Sequence, residues 1–264
     1  MFFLKNQDIL QRVENFQKIG AEFQFKATNN RMYITGDMGE YMTSSDKIPA
    51  RELVYIGMVK KYILKNNLQN TIPKIKTKVD YFKFSKSLPS QNEYSNCYEI
   101  DLKSAYWKIA NDLGLLRPDL YKKASTINPK TKLPYMSKIT RLAAIGSLAR
   151  KYRVYTFTAD GKMTKRRWRS RETEHIWDYI CYKTAKVMDK AIKVAGNDFM
   201  FFWVDGIFVK NKKSRDAVVK AFKQEGFGST VYKVEKVKVD EKIWAYSSEH
   251  KKKERGFPYP KDKK

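Results

Sequence analysis

The sequence predicts an α+β fold, and three observations carry that expectation. Apolar residues switch between strand-like alternation and helical spacing in the order strand, helix, helix, hairpin, helix, strand, helix, strands. Asp160-Gly161 sits between two runs of strand formers, the signal for a tight hairpin turn. With 42% hydrophobic residues in 264, the chain can bury a core, which sets global disorder aside.

Residues 1 to 30 read as a polar helix, and 31 to 46 as short strands around Gly36 and Gly39. ARELVYIGMVKKYILKNN has helical apolar spacing, and a polar stretch containing Pro89 follows. Cys97 to Leu102 reads as a strand, and Ser104 onward as a helix ending near Gly114. RPDLYKKASTINPKTKLPYM, rich in Pro and Lys, is expected to be a loop, and MSKITRLAAIGSLARKY a helix. RVYTFTADGKMTKRRWRS is the hairpin. Period-two alternation sets Lys165, Arg167, Arg169 and Arg171 on one face of its second arm. That row suits a phosphate backbone, or equally a solvated edge. Residues 172 to 195 form a long helix with Ile176, Ile180, Val187, Met188, Ile192 and Ala195 as its buried stripe and Gly196 at its end. FMFFWVDGIFVK is a buried strand. SRDAVVKAFKQEGFG is a helix with Ser214 as candidate cap, and strands follow up to a loose KDKK tail.

The charge balance, 54 Lys and Arg against 28 Asp and Glu for a net +26, attracts polyanions. Nucleic acid is the first expectation and an anionic membrane surface the second. No basic amphipathic helix with a Trp/Phe/Leu face supports the membrane, and the third reading is a solvated surface. No apolar run reaches the roughly 18 residues of a spanning helix, and MFFLKNQD lacks a signal-peptide core. Two cysteines, Cys97 and Cys181, make no disulfide framework, and two histidines make no zinc site. A soluble chain in a reducing, intracellular, cytoplasmic setting is expected. Richness in Lys, Asn and Tyr hints at an AT-rich, phage-like genome.

Two strands carry an isolated acid in apolar company, Asp101 in YEIDLKSAY and Asp205 in FFWVDGIFV. A buried carboxylate is expensive unless paired, and a salt bridge to Lys or Arg is the ordinary explanation for either alone. If the two strands are neighbours, the carboxylates face each other and need a cation between them. Oxygen ligands and few histidines select Mg²⁺, and two Mg²⁺ on two carboxylates form the core of two-metal phosphoryl transfer.

Asp101-Leu102-Lys103-Ser104-Ala105-Tyr106 resembles the DxxSLYP element, motif A, of family B DNA polymerases. Val204-Asp205-Gly206-Ile207 resembles the second half of their YxDTDS element, motif C, with Gly206 in place of the serine and Trp203 in place of the first aspartate. SKITRLAAIGSLARK is similar to motif B, Kx3NSxYG, in two registers, one using Lys138 and one using Arg141, neither of which keeps the Asn or the Tyr. The resemblance implies a polymerase palm at 95 to 260, an antiparallel sheet with helices on one face. It also implies short fingers at 107 to 152, little or no thumb, an N-terminal region at 1 to 94 and a basic tail at 261 to 264. It implies that Asp101 and Asp205 are catalytic and hold two Mg²⁺ ions with the Leu102 carbonyl. Tyr106 would pack under the sugar, and Lys138 or Arg141 would hold the dNTP phosphates. Lys242 and Tyr246 would grip the primer end. The 162 to 171 arm and the 251 to 255 run would hold a DNA template–primer by its phosphates.

No exonuclease signature occurs in the first 95 residues, so an accessory protein supplying thumb, exonuclease or priming function is expected. IDLKSAYWKI and WVDGI also resemble the palm of a reverse transcriptase, with Gly206 in place of the second aspartate of YVDDI. A catalytically silent palm that binds nucleic acid in a replication or packaging assembly, and a two-metal nuclease, are the other readings.

Overall fold

The computed structural model describes residues 2–4, 6–27, 32–43, 52–76, 79–88, 92–129, 132–149, 151–160, 162–169 and 171–259. The strands are β1 (Phe2–Leu4), β2 (Phe23–Ala27), β3 (Met32–Gly36), β4 (Gly39–Thr43), β5 (Phe82–Phe84), β6 (Glu93–Leu102), β7 (Lys151–Phe157), β8 (Met163–Arg169), β9 (Phe199–Trp203), β10 (Gly206–Val209), β11 (Ser229–Val239), β12 (Lys242–Tyr246) and β13 (Glu254–Pro258). The helices are α1 (Asn6–Lys18), α2 (Leu53–Lys65), α3 (Ala105–Asp112), α4 (Pro118–Ser125), α5 (Lys138–Gly146), α6 (Glu174–Ala195) and α7 (Lys212–Gln224). The fold is α+β. Among the described residues, no helix is long and apolar enough to cross a membrane.

Contacts divide the chain into two units, Met1–Lys74 with Ala110–Trp177, and Ile75–Ile109 with Asp178–Lys264. The first boundary therefore falls twenty residues before the expected 94/95 one, and most of the expected fingers segment clusters with the N-terminal region. Pro89, Gly161 and the 261–264 tail lie outside the described residues.

Unit 1 carries a six-stranded sheet in the order β1-β4-β3-β2-β7-β8, antiparallel except for the β1–β4 pair. Helix α1 supplies Ile9, Val13 and Phe16, one stripe at helical spacing, to a core with Phe23, Ile34 and Phe157. Phe23 and Phe157 stack at 4.6 Å across β2 and β7. Gly36 is required where β3 meets β2, since a Cβ there would clash with the Glu22 carbonyl and sit 2.8 Å from Phe23 Cβ. Buried Glu52 joins the starts of α2 and α5. Its carboxylate accepts from the Ser137 N–H at 2.8 Å and from the Thr140 hydroxyl.

Unit 2 carries a seven-stranded sheet in the order β13-β12-β11-β6-β10-β9-β5. Its hairpin strands are buried from Phe199 to Phe202 and from Gly206 to Val209, so the middle of the sheet is covered on both faces. One face packs Cys97, Phe201, Phe208, Val234, Ile243 and Phe257 together. The alternate pleat turns Ile100, Leu102, Phe202 and Ile207 the other way.

Several local expectations change. Phe23–Ala27 is a strand and not part of the first helix, because α1 ends at Lys18 and Gly20 takes φ 67°. The expected loop after Arg117 contains α4, which opens on Pro118, a residue preset for the first helical turn. The motif-B-like helix is shorter than expected, since Lys151 already belongs to β7. Asn211, not Ser214, caps α7, accepting from the Ser214 N–H at 3.0 Å. In α6, Ile192 is only partly buried while Ala191 is fully buried.

Candidate active site

Strands β6 and β10 are antiparallel neighbours, and their register sets Gly206 opposite Asp101. Asp205 directly precedes that pair, in the two-residue turn that joins β9 to β10 and closes on Trp203 opposite Gly206. The Leu102 N–H donates to the Asp205 carbonyl at 2.9 Å, so backbone hydrogen bonding ties the turn to the residue after Asp101. The Val204 N–H donates to the Tyr81 carbonyl at 2.7 Å, anchoring the turn from the opposite side.

The turn is strained. Val204 has φ 58° while Asp205 does not enter the left-handed region, the pattern of a II′ turn, whose first position ordinarily holds glycine. A β-branched residue at positive φ is a genuine outlier. Ser104, just after the second strand end, has φ 53°. Each aspartate thus lies within three residues of a sparsely populated backbone conformation, and such strain clusters at functional sites.

Asp101 and Asp205 are both partly exposed. Gly206 keeps the space beside Asp101 clear. A Cβ there would lie 3.7 Å from Asp101 Oδ1 and 3.4 Å from Glu99 Oε1. Glu99, one pleat along β6, is fully buried, and its charge is met by Arg255. Arg255 Nη1 donates to Glu99 Oε1 at 2.7 Å, and Nη2 donates to Oε2. The Arg255 guanidinium also lies over the rings of Phe257 and Phe208, at 5.5 and 5.7 Å. This corrects the expectation that the whole 251 to 255 run grips phosphate: Lys251, Lys252 and Lys253 are exposed, but Arg255 is an internal partner of Glu99. The sequence signal for Glu99 was its period-two spacing from Asp101. Nothing local marked Arg255 as its partner.

Trp203, expected from the resemblance to stand in place of an aspartate, is an aromatic core contact. Its ring stacks on Phe82 at 5.6 Å and meets Phe257 edge-on at 6.1 Å, so this position belongs to the aromatic core.

Tyr106 lies in the first turn of α3. Its hydroxyl and that of Tyr81 both hydrogen-bond Cys181. Burial pushes the Tyr106 hydroxyl far above the ordinary tyrosine range, and the nearby Cys181 and Asp205 push the same way. Burial also raises Tyr81 to about 12 and the Cys181 thiol to about 11. All three stay neutral at physiological pH, so Tyr106 presents an uncharged hydroxyl in the neighbourhood of Asp205.

The other expected residues fall on both units. Tyr246 pairs with Lys236, which pairs with Ser95. That level is six residues down β6 from Asp101, about 20 Å at strand rise. Lys242 lies further along β12 in the same direction, with its ammonium 5.8 Å from the Trp244 ring. The sheet therefore does not bring Lys242 and Tyr246 to the aspartates. Lys138 and Arg141 share α5 in unit 1. Lys138 is exposed, whereas Arg141 is half-buried, and burial lowers its guanidinium pKa. Its Nε is buried and without a hydrogen-bond partner. Lys165 and Arg167 are exposed on β8, which ends at Arg169. Arg171 lies past the strand end and lines a polar cavity of about 560 Å³ with Gln69, Lys74, Glu172 and His175, so it does not extend the β8 row.

Among the described residues no three His, Cys, Asp or Glu side chains group as a metal site. The oxygen-only set of Asp101, Asp205 and the Leu102 carbonyl fits Mg²⁺ chemically, since that ion takes one or two carboxylates and fills its shell with water and substrate phosphate. Comparison with known proteins gave no match, either among protein-family models or among curated proteins.

Proposed function

We propose that the chain is a template-directed DNA polymerase of family B type, reduced to a palm-like sheet with few additions. The observation that carries this reading is the β6–β10 register, with Asp101 opposite Gly206 and Asp205 in a strained turn hydrogen-bonded to Leu102. The reaction joins a primer 3′-hydroxyl to the α-phosphate of a dNTP and releases pyrophosphate. Asp101, Asp205 and the Leu102 carbonyl would hold two Mg²⁺ ions. When bound, these supply a polarised nucleophile and charge neutralisation at the leaving group. The protein's own part is positioning. The Tyr81 and Leu102 hydrogen bonds hold the turn, Arg255 keeps Glu99 neutralised, and neutral Tyr106 offers a flat uncharged surface for a sugar. Exposed cations such as Lys165 and Arg167 would hold DNA phosphates without reading sequence.

A reverse transcriptase-like polymerase uses the same two aspartates, and a silent nucleic-acid-binding palm would use neither. Primer extension on DNA and RNA templates, with dNTPs and rNTPs in separate reactions, tests all three. Extension on DNA with dNTPs, lost in Asp205→Asn while DNA binding persists, is the expected result. Binding without extension in the parent chain would leave the silent palm. Degradation of labelled DNA in Mg²⁺ without dNTPs would indicate a nuclease.

A further inference from the structure

Unit 1 carries a run of exposed cations at one edge of its sheet. Strand β8 is the outer strand of the six-stranded sheet, and Lys165, Arg166 and Arg167 are all exposed along it. Charges on an edge strand ordinarily prevent edge-to-edge pairing. That reason does not extend to β7, which is paired on both sides, with β2 and with β8. The β7–β8 register sets Arg153 opposite Arg167 and Lys151 opposite Arg169, so basic positions recur on both strands of the ribbon. A polyanion is the partner such a ribbon suits.

The same sheet face changes character in steps. Its buried row is the Phe23–Phe157 pair, stacked at 4.6 Å. The next row toward the cations pairs Phe25 with Tyr155, half-buried, with ring centroids 5.9 Å apart. Opposite Tyr155 stands Lys165, its ammonium 5.7 Å from the Tyr155 ring. Beyond them lies the Arg153–Arg167 row. Half-buried rings beside a line of cations make a stacking platform with phosphate contacts, and stacking requires bases that are not already paired.

We propose that the β7–β8 ribbon binds single-stranded nucleic acid, with phosphates along the Lys165–Arg167 line and an unpaired base on the Phe25–Tyr155 pair. This deepens the nucleic-acid contact in the polymerase reading but involves neither aspartate, so it is testable without catalysis. The probes are a labelled oligothymidylate of about a dozen nucleotides and a duplex of equal length, titrated with the whole chain in the absence of Mg²⁺ and dNTPs and followed by anisotropy. The single strand should bind at least about tenfold more tightly than the duplex at equal salt. The pair Lys165→Glu and Arg167→Glu, both at exposed positions, should weaken single-strand binding by about tenfold or more. It should also flatten the log–log salt slope by about 1.4, the release expected for two phosphates of a single strand. Tyr155→Leu, which keeps apolar bulk under the core, should weaken the single strand by about fivefold or more and leave the duplex unchanged. Equal or better duplex binding, or single-strand binding indifferent to the paired charge reversal, overturns the proposal. Primer extension without single-strand preference overturns it and leaves the polymerase reading standing. Single-strand preference without extension does the reverse.

Discussion

Val204 shows how little freedom the candidate site has. Its φ of 58° is stored strain, of order 1–3 kcal/mol for such a residue. Val204→Gly should raise the unfolding free energy by about 1 kcal/mol, read from the urea midpoint, because relief of strain exceeds the entropy glycine adds to the unfolded chain. The same change should lower the primer-extension rate, since the turn that carries Asp205 loses its fixed geometry. Asp205→Asn keeps size and shape but removes the charge. Extension should fall by on the order of a thousandfold or more, with DNA affinity maintained or increased. Cys181 is a different kind of neighbour. With its thiol pushed up to about 11 by burial, it should resist iodoacetamide at pH 8 in the folded chain and react once urea unfolds it.

At the scale of elements, β6 is held from two directions, by β10 and β11 in the ladder and by the Glu99–Arg255 pair reaching to β13. Removing one member leaves the other as a buried charge. Arg255→Ala should therefore cost about 3–5 kcal/mol in a denaturant titration, and the double replacement Glu99→Leu with Arg255→Met should recover most of that. Elements differ in how far the sequence exposed them. The hairpin of β7 and β8, the long helix α6 and the Asp101 strand were legible because each carries a local period or a turn signal. The single buried strand expected at 199–210 is instead the β9–β10 hairpin with Asp205 in its turn, hidden because both arms are uniformly apolar and Val204 is not a turn residue. Strands β1 and β5 were not. Each is three residues long, too short to show a period, and takes its identity from the neighbour it pairs with. Helix α4 was hidden because its opening proline reads as a breaker until the first-turn position is known. Within the site, the aspartates stood out as lone charges in apolar runs. The Glu99–Arg255 pair did not, because its members are 156 positions apart and each resembles a surface charge in its own segment.

For the whole molecule, a net charge of +26 makes ionic strength the first variable to examine. DNA affinity and any extension activity should fall steeply between about 50 and 200 mM salt, and a flat response would argue against phosphate contacts. Alkaline pH should act on stability through buried acids. Cys97 and Cys181 are each raised from 9.0 to about 11, and Tyr81 from 10.0 to about 12. The unfolded chain loses these protons first. The stabilisation is thus complete below pH 9 and lost as pH rises through 11 and 12. Urea midpoints should decline across that window, with the lower part of the decline reduced in Cys97→Ala. The chain passes between its two compact units at 74/75, 109/110 and 177/178, and this interleaving shapes how the molecule comes into being. When β6 leaves the ribosome, its partners β10 and β11 are still more than a hundred residues from synthesis. A ten-residue strand with open hydrogen-bonding edges must wait through that interval, exposed to chaperones and to other nascent chains. Assembly of the seven-stranded sheet is therefore a late step that must close long loops, whereas every strand of the six-stranded sheet is complete once Arg169 is made. Cellular yield should respond to translation speed and chaperone supply.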